Sequence, residues 1–93
     1  MIEYLKGEVT ELDPTKAIVE CAGVGYECNI SVYTYDKLKI GQVFKLYIDE
    51  SIREDAHQLY GFISKQERAI FRLLISVSGV GPNTARCIQS SLS

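Results

Sequence analysis

Five short runs of strand-forming residues, each closed off by glycine, proline or a polar turn, fill the first 63 positions of this 93-residue chain. Ile2 to Leu12 is rich in strand formers with partial alternation and stops at Asp13-Pro14-Thr15-Lys16, a turn sequence. Ala17 to Cys21 reads as a second strand. Gly23-Val24-Gly25 then marks a hairpin or sharp bend before the third, Tyr26 to Val32. Thr34 to Leu38 is long enough for one helical turn, and Gly41 stops it. Val43 to Ile48 follows as a strand with Phe44, Leu46 and Ile48 on one face, and Gln58 to Ile63 is the fifth. A sandwich usually uses more strands than five, so the pattern predicts a small closed barrel of the OB-fold type. Between the last two strands Asp49 to His57 is the most polar stretch of this region, and it should project as a hairpin tip.

At Ser64 the periodicity changes. Ile70, Phe71, Leu74, Ile75 and Val77 recur at helical spacing, and Ser64-Lys65-Gln66-Glu67 before them is a capping box. The helix runs into Ser76-Val77-Ser78-Gly79-Val80-Gly81-Pro82-Asn83-Thr84-Ala85, where two glycines flank one apolar residue. Gly81 suits an N-cap and Pro82 a first helical position, after which Ala85, Ile88 and Leu92 continue a second helix. The string therefore predicts a helix-hairpin-helix, with residues 1–63 forming the barrel domain and 64–93 the first hairpin of an incomplete helical domain. The N–H groups of Gly79, Gly81, Asn83 and Thr84 lack partners at such a helix start, and the helix dipole favours an anion there. Glycine at 79 and 81 permits positive φ and removes the Cβ atoms that would hold a phosphodiester away. A plain tight turn between helices is the simpler reading of G-x-G alone; the whole string with its capped helix points to phosphate.

The chain is too small for an elaborate enclosed active site. No apolar run approaches the roughly 18 residues of a membrane span and no signal sequence opens the chain, so the expectation is a soluble, cytoplasmic protein. Cys21, Cys28 and Cys87 have no C-x-x-C spacing and only His57 beside them, which leaves no metal or cofactor site and three small hydrophobes in a reducing compartment. The net charge of −2 is unevenly placed: residues 1–63 hold six basic and eleven acidic side chains, whereas Lys65, Arg68, Arg72 and Arg86 face only Glu67 beyond them. Positive charge thus collects near the hairpin, although a charged helix face is often merely solvated. Glu54 and Asp55 could serve as an acid and base pair of a metal-dependent nuclease, with Asp49 and Glu50 nearby. Adjacent residues on an extended chain point apart, and an exposed acidic loop is the simpler account. His57 reads as a surface residue.

The string Arg53-Glu54-Asp55-Ala56-His57-Gln58-Leu59-Tyr60-Gly61-Phe62, with Lys65-Gln66-Glu67-Arg68, Ser78-Gly79-Val80-Gly81-Pro82, Gly7-Glu8-Val9 and Gly23-Val24-Gly25-Tyr26-Glu27, resembles the RuvA family of bacterial Holliday-junction-binding proteins. The resemblance runs the length of the chain. It implies an OB-fold domain joined to a domain with two helix-hairpin-helix motifs, of which this chain holds the first. It further implies a homotetrameric, non-catalytic platform that holds four-way junction DNA open, and a RuvB motor contacted through a C-terminal domain absent from this chain. Glu54 and Asp55 match the family's acidic pin at the junction centre. Gly79, Val80, Gly81, Asn83 and Thr84 match its phosphate-binding hairpin. Asn83 stands where lysine is common, and Arg86, where an apolar residue is common, is expected to restore some of that charge. The competing expectations are an oligomerisation or folding fragment with weak DNA binding, and the metal-dependent nuclease.

Overall fold

The computed structural model describes residues 1–76 and 81–92, the side chains of 83, 87, 89, 91 and 92 excepted. Strands β1 (Tyr4–Leu12), β2 (Lys16–Cys21) and β3 (Val24–Asn29) precede a short helix α1 (Val32–Lys37). Strands β4 (Val43–Arg53) and β5 (Ala56–Phe62) then lead to helices α2 (Lys65–Ile75) and α3 (Pro82–Leu92). The five strands close into a barrel in the order β1-β2-β3-β5-β4, with β4 returning to β1. Only β3 and β5 pair in parallel, at Cys28↔Leu59 and Asn29↔Tyr60. This closed five-stranded arrangement is consistent with the expected OB-fold.

Several boundaries differ from the sequence reading; β3 begins at Val24, inside the expected Gly23-Val24-Gly25 bend, and β5 at Ala56 rather than Gln58. The third strand ends at Asn29 rather than Val32, because the Ser31 hydroxyl accepts the N–H of Thr34 at 3.2 Å and so caps α1. The fourth strand runs on past Ile48 to Arg53, since Asp49 to Arg53 has a full ladder partner in β5.

Alternation along the strands sends Leu5, Val9, Ala17, Val19, Cys28, Leu46 and Ile48 inward, where they meet Ile30 and Leu38 in one buried cluster. Burial pushes the Cys28 thiol up to about 12, so it is a hydrophobe and not a nucleophile. Cys21 is only half-buried, its Sγ 3.2 Å from the Lys6 carbonyl, and the side chain of Cys87 lies outside the described residues. Closure depends on a close approach of β1 to β2: a Cβ on Gly7 would sit 2.1 Å from the Glu20 carbonyl oxygen. Just beyond, the β1–β2 register shifts between Val9 and Glu11, the kind of bulge that bends a strand around a small barrel.

A second cluster joins the helices to the barrel. Tyr60 and Phe62 of β5 bury against Phe71 of α2 and Ala85 of α3, with Leu74 and Ile75 beside them. The Phe71 ring lies 5.2 Å from Tyr60 and 4.9 Å from Phe62, centroid to centroid. The capping box is only partly as expected. Ser64 does accept the N–H of Glu67 at 3.1 Å, but the Glu67 carboxylate turns into the protein. There it accepts the hydroxyl of Thr34, that of Ser31 at 2.5 Å and the N–H of Ile63 at 3.3 Å, so one side chain ties α1, α2 and the end of β5 together.

Candidate nucleic-acid interface

β4 and β5 stay paired from Tyr47↔Phe62 out to Arg53↔Ala56, but their other neighbours drop away earlier. β1 pairs with β4 only as far as Tyr47, and β3 pairs with β5 at Leu59 and Tyr60. From Ser51 and Gln58 outward the hairpin is therefore a two-stranded arm standing off the barrel, and every residue from Ile52 to Gln58 is exposed. At about 3.3 Å per residue the arm reaches roughly 10 Å beyond the closed sheet. Glu54 and Asp55 form the two-residue connection at its tip.

The arm is braced at its root. Glu50 accepts the backbone N–H of Ile2 with one oxygen, while its other oxygen lies 2.9 Å from His57 Nε2. These contacts, the Ile2 hydrogen bond foremost and His57 next, hold the Glu50 carboxyl below its ordinary range. His57 is thus a strut across the hairpin as well as a surface residue. On the opposite side Tyr60 donates its phenol to Gln58 Oε1 at 2.8 Å, and burial raises the Tyr60 phenol while Arg86 and Arg53 oppose the rise.

Between the arm and the start of α3 lies a cleft of about 230 Å³ lined by Ser51, Arg53, Asp55, Ala56, Gln58, Tyr60 and Pro82. Two regions far apart in sequence, the acidic tip and the entry to the last helix, share this one depression. Pro82 is the first residue of α3, and the Gly81 carbonyl accepts the N–H of Ala85 at 2.9 Å, the first turn of that helix. Thr84 is exposed on the same turn. Among the described residues nothing lies within 4 Å of where a Cβ on Gly81 would stand. Gly79, Val80 and the side chain of Asn83 lie outside the described residues.

The basic residues behave differently from the sequence expectation. Arg86 turns toward the barrel, where Nη1 donates to the carbonyls of Thr15 at 3.2 Å and Ile30 at 3.4 Å and Nε is buried without an acceptor among the described residues. Arg68 is buried: its Nη1 donates to the carbonyls of Glu3 and Ile48, and its Nη2 bonds the Glu3 carboxylate at 2.7 Å. Arg72 pairs with Asp49 at 2.7 Å. The positive excess counted beyond Ser64 is thus partly cancelled by acids that the fold brings in from the first half. Arg53, Gln58 and Tyr60, which the sequence reading did not single out, line the cleft instead. Their clue was adjacency, since Arg53 directly precedes the acidic pair. Among the described residues no three His, Cys, Asp or Glu side chains converge as metal ligands would.

The family model described as the RuvA N terminal domain matches residues 1–61. The chain belongs to the RuvA family. Family members similar to it throughout include a protein of Parabacteroides distasonis, 62% identical over 92 residues, which covers 99% of this chain and 47% of that relative. One from Bacteroides thetaiotaomicron is 60% identical over 93 residues, covering 100% of this chain and 46% of the relative. One from Flavobacterium psychrophilum is 48% identical over 92 residues, covering 99% and 48%. Each bears the name Holliday junction branch migration complex subunit RuvA. The chain spans about half the length of these curated relatives.

Proposed function

We propose that this chain is the junction-binding part of a branch-migration platform: an OB-fold barrel followed by the first helix-hairpin-helix of a larger helical domain, acting on four-way junction DNA. The observation that carries the reading is the shared cleft, which sets an acidic, exposed tip beside the first turn of α3 in a chain whose relatives are named for the Holliday junction. In this reading the hairpin from Gly79 to Thr84 holds a phosphate on backbone N–H groups, and open space at Gly81 leaves room for the DNA backbone to come close. The chain performs no chemistry of its own. Four copies surround the junction in the cytoplasm, and a RuvB-type motor engages a further domain beyond this chain.

Glu54 and Asp55 act by repulsion. A carboxylate roughly 6 Å from a phosphate in water costs about 0.7 kcal/mol before screening. Gathered from four tips around one axis, that cost keeps a continuous duplex from crossing the centre, while an open junction sends its arms outward. Selectivity then comes from a penalty on the wrong ligand. Glu54→Gln with Asp55→Asn is expected to raise affinity for linear duplex several-fold and for the junction less, measured by gel shift at low salt where screening is least. Equal affinities of parent and double variant for both DNAs would reduce the tip to an ordinary acidic turn.

A further inference from the structure

Three lysines outside any ion pair meet two tyrosines on one side of the barrel. In the β1–β4 ladder Tyr4 stands directly opposite Tyr47, and Lys6 directly opposite Lys45. Alternation turns all four outward, so two rings and two ammonium groups form adjacent rows; Tyr4, Lys6 and Lys45 are exposed and Tyr47 is half-buried. Lys65, the first residue of α2, adds a third cation. Its amine lies 5.7 Å from the Tyr47 ring centroid, and that of Lys45 lies 5.3 Å from the same ring. The ion pairs found among the described residues join Lys16 to Glu27, His57 to Glu50, Arg68 to Glu3 and Arg72 to Asp49, and include none of these three lysines. Like charges directly opposed across a ladder are destabilising, and Lys45 rests on aromatic rings, its amine 4.1 Å from the Tyr4 centroid. The neighbouring surface has the opposite character. OB-fold barrels commonly take oligonucleotides on strands 2 and 3 and on the loop between strands 4 and 5. Here Glu20 and Glu27 are exposed on those strands, Glu8 stands opposite Glu20, and Glu54 and Asp55 end that loop, so a polyanion is repelled from the usual place.

We propose that Tyr4, Lys6, Lys45, Tyr47 and Lys65 form a binding surface for single-stranded DNA, separate from the start of α3 and the cleft beside it. Both parts of such a ligand are answered: unpaired bases stack on the tyrosine rings, and phosphates take the lysines. An exposed cation–π contact is weak, so Lys45 can leave the Tyr4 ring to a base and turn to a phosphate. A duplex keeps its base faces hidden and would leave the rings unused. A carboxylate-rich protein segment would answer the lysines but offers the rings nothing planar. The strand crosses the sheet from β1 over β4 toward α2, because a path along β1 would carry it onto Glu8, two positions beyond Lys6 on the same side. The inference goes beyond the junction reading and does not depend on it.

The test is fluorescence anisotropy with a labelled oligothymidylate about 12 nucleotides long, run beside a four-way junction. Tyr4→Ala and Lys45→Ala are each expected to weaken single-strand affinity about fivefold or more while junction affinity stays within about twofold. Both side chains lie outside the core, so an unchanged circular dichroism spectrum accompanies the loss. Lys45→Ala should also lower the log–log salt slope by about 0.7, the share of one phosphate on a single strand, and Tyr4→Ala should leave it as it is. An abasic strand of the same length should bind several-fold more weakly than oligothymidylate. A parent that does not bind the strand at millimolar concentration, affinity unchanged in both variants, or equal binding of the abasic strand would each overturn the proposal. So would polyglutamate that displaces the strand at equal charge, which would hand the face to an acidic protein, or a parallel loss of junction affinity, which would merge it with the junction site. A parent that binds the strand in this pattern yet binds no junction would uphold the surface and defeat the proposed function instead.

Discussion

Glu67 shows how far a single side chain can depart from its local role. At the third position of α2 its backbone N–H is capped by Ser64, as the spacing requires, but its carboxylate serves three partners from other segments. Only 7% of the residue is exposed, so donors left without it could not turn to bulk water. Glu67→Ala is expected to cost about 2–4 kcal/mol, and Glu67→Gln, which keeps the shape and one acceptor, about 1 kcal/mol. Urea unfolding followed by circular dichroism measures both, and a change under about 0.5 kcal/mol for the alanine variant would mean that the network carries no net stability. Arg68 has the same character: a surface-type residue in the sequence becomes a buried clamp on Glu3 and Ile48 once α2 lies against β4.

Among the elements, the β4–β5 hairpin and α3 carry the proposed function. The hairpin was readable because Asp49 to His57 is polar between two apolar strands. Its length was not, since polar residues in a two-stranded arm give no inward face to mark them as strand. For α3 the glycine at its entry has no described neighbour where a Cβ would stand, so Gly81→Val should leave the barrel intact and act only on a ligand that must come close. The expected result is a three- to tenfold loss of junction affinity by fluorescence anisotropy with an unchanged circular dichroism spectrum. Unaltered affinity would remove the phosphate-cradle role from this helix start.

For the whole molecule, the distribution of charge matters more than the net value of −2. Of the four cations beyond Ser64, Arg68 and Arg72 sit on carboxylates and Arg86 donates to main-chain carbonyls. Of those four, only Lys65 is both exposed and outside an ion pair among the described residues. The log–log dependence of junction affinity on salt should therefore be shallow per chain, on the order of one or two phosphates at about 0.9 each. A slope several times steeper would return the credit to lysine and arginine contacts. The two halves also share one interior, because Phe71 and Ala85 complete a cluster begun by Tyr60 and Phe62.

Local chemistry sufficed wherever a signal repeats within a few residues. Alternation placed Leu46 and Ile48 inside, Asp13-Pro14 turned the chain, and Ser64 started α2, each through interactions with near neighbours in sequence. The acidic tip could likewise be located from its flanking strands, and the family resemblance lay in strings of adjacent residues. Tertiary structure alone decided which charges are free. Arg68 meets Glu3 and Arg72 meets Asp49 across 65 and 23 positions, and Arg86 reaches Thr15 across 71. No local pattern encodes such pairings, because they exist only after barrel closure and helix docking bring distant segments within hydrogen-bonding reach. The cleft between Asp55 and Pro82 and the facing pairs Lys6–Lys45 and Glu8–Glu20 arise in the same way, from strand order, register and the packing of α3 against β5.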